Sequence, residues 1–214
     1  MLEVHAPHEG VHGWRGFMLH IAAIAIGLLL ALTLEKLAEY VHERRQLTEA
    51  RRELATEVAE NRARWARNVS EASRVESDLN TDLKTIRALA AHAPVDGLKL
   101  NYSVRFYAVH DGPWQAARQS GALGLMPDAE LQTHAWFHAI LASLMESMHA
   151  LEASIQMAGA IAKSGRPEEL SPRDLDELRS RTLEALGRLE NLRMFLGYEG
   201  SGLDDFDLAK TRAH

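Results

Sequence analysis

The residues with the clearest capacity for chemistry are histidines set beside acids. His5, His8 and His12 lie before an apolar run, Glu9 stands among them, and His20 falls inside the run. If residues 8–12 were helical, His8 and His12 would share a face at the spacing of a metal-binding pair, and with His5 and His20 they form a candidate metal set. Pro7, Gly10 and Gly13 oppose regular helix there, because proline lacks an amide donor and glycine loses the most backbone freedom on folding. For His20 the competing reading is an interfacial side chain bonded to a neighbour or a lipid headgroup.

Glu-x-x-His recurs at Glu9/His12, Glu39/His42 and Glu146/His149, the pattern with which facing helices of a bundle hold two metal ions. With 30 acids and 11 histidines in the chain, such matches arise by chance. The first two also flank the apolar run, with no obvious route to the third. His134 and His138 share a helix face one turn after Glu130, with Trp136 nearby. Polar residues beside an apolar stripe read as boundary positions, with metal binding as the alternative. Trp114, Ala117, Ser120, Gly121, Ala122 and Leu123 form the densest non-repetitive stretch. Its aromatic ring, small residues and helix breaks mark Trp114 and Gly121 as a packing corner or the lining of a pocket.

Several chemistries are excluded outright. The chain has no cysteine, so disulfides, thiolate metal sites and a cysteine nucleophile are absent. No nucleophile elbow, Walker loop, dinucleotide fingerprint or His-Glu-x-x-His motif occurs, and no cofactor is expected. A formal charge of −6 without a basic stripe argues against nucleic acid as a partner.

The element that must position everything else is Phe17 to Leu34, apolar apart from His20 and Thr33. At the α-helical rise it covers about 27 Å, enough to cross a hydrocarbon core with little tilt. Glu3 and Glu9 before the run, and its direct continuation through Glu35 and Lys36, argue against a cleaved signal peptide. The expectation is a single-pass transmembrane helix at residues 17–34, preceded by an interfacial segment at residues 1–16 with Trp14 and Arg15 as membrane-interface anchors. Lys36, Arg44, Arg45, Arg51 and Arg52 outnumber Arg15 across the span, which leans the C-terminal part towards the cytoplasm. Gly16, His20, Ala23, Gly27 and Ala31 project onto one line at 100° per residue. Small residues spaced in this way let helix backbones approach closely in lipid, so this line is the candidate oligomer interface.

No Gly or Pro interrupts Lys36 to Ala93, which predicts a long stalk helix over residues 35–93 continuous with the membrane helix. A heptad fits with Val58, Trp65, Ala72, Leu79 and Ile86 at a, and with Leu47, Leu54, Asn61, Asn68, Val75, Asp82 and Leu89 at d. Asn61, Asn68 and Asp82 weaken a two-stranded seam, so a multi-helix bundle fits better, the three setting register. Residues 94–127 read as a connector with a short helix from Trp114 to Ser120; Tyr102 to Val109 within it has extended character and no second strand to pair with. Residues 128–198 read as a helical hairpin, with Asp128 as the first cap and Ser171 as the second. Residues 199–214 read as a tail. The fold class expected is all-α.

The pattern His5-Ala-Pro-His8-Glu9, Trp14-Arg15-x-Phe17, His20, Ile26-Gly27-Leu28, Ala31-Leu32-x-Leu34-Glu35 resembles a group of uncharacterised bacterial single-pass inner-membrane proteins. Their charged helix is followed by a segment like Trp114 to Leu123. The resemblance covers about a fifth of the chain, implies shared architecture, and carries no activity over. His42-Glu43-Arg44 departs from it where similar proteins are richer in histidine. The resulting expectation is a non-enzymatic, self-associating protein of the lipid bilayer, a homo-oligomer with an unidentified protein partner. A ligand- or signal-sensing bundle and a His-based metal-binding oligomer are the alternatives.

Overall fold

The computed structural model describes residues 13–94 and 99–197 of the 214-residue chain. The described residues form four α-helices: α1 (Trp14–Ala90), α2 (Gly112–Gln119), α3 (Asp128–Ala162) and α4 (Pro172–Gly197). Short 3-10 turns stand at Ala122–Leu125 and Pro167–Glu169, and no strand occurs among the described residues. The chain divides into two compact units, residues 1–49 and residues 50–214.

In the first unit, residues 14–49 of α1 bury no side chain. α1 contains one stretch long and apolar enough to cross a membrane, and none of that stretch is buried. The helix begins at Trp14, three residues before the expected span, and the Trp14 and Phe17 rings tilt against each other at 5.9 Å.

In the second unit, α3 and α4 form the expected hairpin, and residues 50–90 of α1 pack against it. The main core joins Val58, Trp65, Ala72 and Leu79 of α1 to Phe137, Leu144 and Leu151 of α3 and Leu189 and Leu192 of α4. A second cluster gathers Ile86, Ala158, Leu175 and Leu178. Every a position of the heptad from Val58 to Ile86 is buried, whereas Leu47 and Leu89 at the ends of the d series are half-buried. Trp65 is buried with its polar edge satisfied, the indole Nε1 donating to the Leu196 carbonyl at 3.2 Å.

Some details differ from expectation. α1 stops at Ala90, before Pro94, because the amides of His92 and Ala93 turn back to the Leu89 and Ala88 carbonyls. This pattern closes a helix through a left-handed residue, here His92 at φ 54°. α2 starts at Gly112, two residues earlier than expected, with Asp111 as its N-cap and Pro113 inside its first turn. Asp128 is the first helical residue of α3 and not its cap; Pro127 holds the cap position without a side-chain bond. Asp128 and Glu130 lie in the first turn, where the helix dipole favours acids. Ser171 does cap α4, its Oγ accepting from the Asp174 amide at 3.2 Å while Asp174 accepts from the Ser171 amide. Ala135 on α3 and Leu183 on α4 are exposed. Phe137, Leu144, Thr182 and Ala185 face the core beside them.

Candidate functional site

Two features of the second unit concentrate its polar chemistry. The first is the segment between α1 and α2. Leu100, Tyr102, Val104 and Phe106 are half-buried while Asn101, Ser103, Arg105 and Tyr107 are exposed, the alternation of a β-strand. Helix side chains do the work of the missing neighbour strand. The Asn61 side-chain amide accepts from the His110 N–H at 3.1 Å and donates to its carbonyl at 2.7 Å. Asn68 does the same for Tyr107, at 2.8 and 3.0 Å. Asp82 accepts from the Asn101 amide at 2.8 Å, and Glu71 from the Arg105 amide at 2.8 Å.

The register has a geometric reason. Asn61 to Asp82 spans three heptads, about 31 Å at the helical rise. His110 to Asn101 spans nine extended residues, about 30 Å. Seven helix residues therefore match three strand residues, and the segment runs antiparallel to α1 as a strap. At the remaining step of this register, Val75 and Val104 both join the apolar core. The polar d residues are thus not register markers in a helix–helix seam. They satisfy backbone groups that would otherwise be buried without partners, at about 1–3 kcal/mol each.

The strap is held on its far side as well. Tyr102 donates its hydroxyl to Thr182 Oγ1 at 2.6 Å, while Thr182 donates to the Leu178 carbonyl at 2.7 Å. Burial pushes the Tyr102 phenol upward, so it remains a donor. A Cβ on Gly159 would stand 3.0 Å from the Tyr102 Cβ, so glycine there permits the close approach of α3 to the strap. Asp82 is fully buried, and desolvation raises its carboxyl to about 6 against the bond from Asn101.

The second feature is the corner where α1, the start of α2 and α3 meet. His134 and His138, expected at a boundary, are buried (1% and 8% exposed). Phe137 and His138 lie edge to face at 5.3 Å, and the Trp114 ring stacks on His138 at 4.5 Å. Contact with two aromatic rings, one stacked and one edge to face, lets an imidazole sit inside a core that its charged form would not tolerate. Glu57, 2% exposed, accepts from the Trp114 amide at 2.9 Å through Oε2. Its Oε1 lies 3.1 Å from His138 Nε2, close but not aligned as a hydrogen bond. Burial raises the Glu57 carboxyl to about 7, with Asp111 adding to the rise against the Trp114 bond. Burial, with His134 beside it, lowers His138 to about 4 despite Asp111. Next to them Arg51 grips Glu130 with two bonds of 2.8 and 2.6 Å. A groove of about 460 Å³ opens over the corner, lined by Arg52, Glu53, Thr56, Glu57, Glu60, His110, Gly112, Pro113 and Ala116. On its rim His110 meets Glu60 at 2.9 Å and also contacts Arg64.

Of the residues singled out from sequence, the helical path of α1 carries Gly16, His20, Ala23, Gly27 and Ala31 along one face, with Trp14 and Arg15 exposed at its start. His5, His8 and His12 lie outside the described residues. Among the described residues no three His, Asp or Glu side chains converge as metal ligands. Trp114 sits half-buried on His138, and Gly121 adopts φ +79° in the turn after α2. Glu57 and the strap clamps were not recognised as site residues in the sequence. The available signal was joint: polar residues seven apart on a helix, and a two-residue alternation in the segment that follows.

Compared with known protein families, curated proteins and solved structures, the chain matches none.

Proposed function

We propose that this chain is a membrane-anchored, self-associating helical scaffold without catalytic activity, whose second unit binds a protein partner. The observation that carries this reading is the apolar stretch of α1, whose side chains find no burial among the described residues. Residues such as Leu28, Leu29 and Leu30 are about 60% exposed, a state that lipid relieves and water does not. The likeness to bacterial single-pass inner-membrane proteins belongs to the same reading, as does a cytoplasmic second unit, the side favoured by the excess of Lys and Arg after the span.

Self-association rests on the face formed by Gly16, His20, Ala23, Gly27 and Ala31. Lipid supplies no hydrophobic drive between helices, and small residues allow the close packing that replaces it. A Cβ at Gly27 meets nothing within 4 Å in the single chain, so Gly27→Leu spares the protomer and tests association alone. Native mass spectrometry in mild detergent should show an oligomer for the wild type and a monomer for Gly27→Leu. A wild-type monomer would overturn the scaffold reading, and an unchanged oligomer would move the interface off this face. Protease accessibility in spheroplasts tests the orientation.

A second reading, a ligand- or signal-sensing bundle, is favoured by the groove over Glu57. A groove of that volume falls within the range of small-molecule sites. A small molecule that raises the melting temperature of the wild type, but not of a variant with Ala116→Trp blocking the groove, would support it.

A further inference from the structure

We propose that Glu57 and His138 form a one-proton latch that seats the start of α2 against α1 and α3, and that loss of the proton releases it. The pair joins three elements: Glu57 on α1, His138 on α3 and, through the Trp114 amide and ring, α2. Both side chains are more than nine-tenths buried, and at 3.1 Å a single proton between carboxyl and imidazole leaves the pair neutral overall. With two protons the pair carries a buried positive charge; with none, a buried carboxylate faces a neutral ring that offers it no cation.

For the proton-free state the Trp114 amide favours the carboxylate, against burial and Asp111, which disfavour it. From α1 the neighbouring charged groups are Arg51, Arg52, Glu53, Glu60 and Arg64. From the start of α2 they are Asp111 and His110, and from α3 Glu130 and His134. Arg51 is engaged with Glu130, and Arg64 and Glu60 with His110. Asp111 raises the proton affinity of both members of the pair. When the proton leaves to solvent, the way to rehydrate Glu57 is outward through the groove that it lines. That movement breaks the bond to the Trp114 amide and frees α2.

The signs follow from the two shifts. Glu57 is raised from its ordinary value to about 7, so the stability it contributes is full below its unfolded value and lost as pH rises through about 7. His138 is lowered to about 4, so its contribution is present above its unfolded value and lost as pH falls through about 4. The seated corner is therefore favoured between these limits, and the release at issue lies on the alkaline side.

The test is hydrogen exchange of the full-length protein in detergent between pH 5.5 and 8.5, corrected for intrinsic rates and followed in peptides covering α2. Protection of α2 should fall at least about five-fold across a step near neutral pH, while α4 peptides show no step. Glu57→Gln, which cannot ionise and whose oxygen still accepts from Trp114, should stay protected throughout. Asp111→Asn should move the step to lower pH, and it decides the matter if Glu57→Gln fails to fold. A flat wild-type profile, a step shared by α4, a step that persists in folded Glu57→Gln, or an unmoved step in Asp111→Asn would each overturn the latch.

Discussion

The two parts of α1 invert each other. Residues 14–49 expose isoleucines and leucines and bury no side chain fully, whereas residues 50–90 bury Glu57, Asn61, Asn68, Asp82 and Thr85 among their apolar neighbours. Local helix propensity is high in both, so it does not distinguish them. The difference is what each side chain is offered. In the second part the strap presents peptide groups every third residue, and polar side chains are the groups that satisfy them. In the first part no described segment covers the apolar surface, and the helix keeps its own backbone bonds closed, the condition under which a segment tolerates lipid.

The largest expected effect comes from treating the second part like a simple seam. If Asn68 were a register residue in a helix–helix interface, Asn68→Leu would add apolar burial and stabilise the protein. As a clamp it leaves the Tyr107 amide and carbonyl without partners, so denaturant unfolding should show a loss of about 2–4 kcal/mol. A stabilised Asn68→Leu would erase the contrast.

Asp82→Asn probes the same clamp through its charge. The raised carboxyl contributes most to stability below its unfolded value and loses that contribution as pH rises through about 6. Asparagine retains an acceptor for the Asn101 amide and cannot ionise. The variant should match the wild type near pH 4 and exceed it by about 1–3 kcal/mol at pH 7.5 in paired thermal melts. A variant less stable than the wild type at pH 7.5 would show that Asp82 is held as a useful carboxylate.

The smallest effect tests the end of α1. His92 occupies the left-handed region without the freedom of glycine, so His92→Gly should stabilise the second unit by up to about 1 kcal/mol. Calorimetry resolves a change of that size, and a destabilised variant would assign the His92 side chain a contact worth more than the backbone relief.

The legible part of this protein was whatever depends on neighbours along the chain. The length of α1, the breaks after it, the Ser171 cap and the buried a positions of the heptad all follow from propensity and periodicity. The candidate corner was less legible. His134 and His138 read as boundary residues because a histidine on an apolar stripe gives no sign of the ring that covers it. That ring, Trp114, comes from another helix. Asn61 and Asn68 read as flaws in a seam because their partners are backbone groups, which every residue carries and no sequence pattern marks.

The sequence alone determined that the chain is helical, where its helices break, and that one stretch of it is apolar enough for a bilayer, because these depend on local spacing and composition. Only the tertiary structure decided that an extended strap replaces a helix against α1, and that Glu57 meets His138 beneath Trp114. The first depends on a 7:3 match of rises between α1 and the strap, the second on how α1, α2 and α3 pack together, and burial then gives these polar groups their altered chemistry.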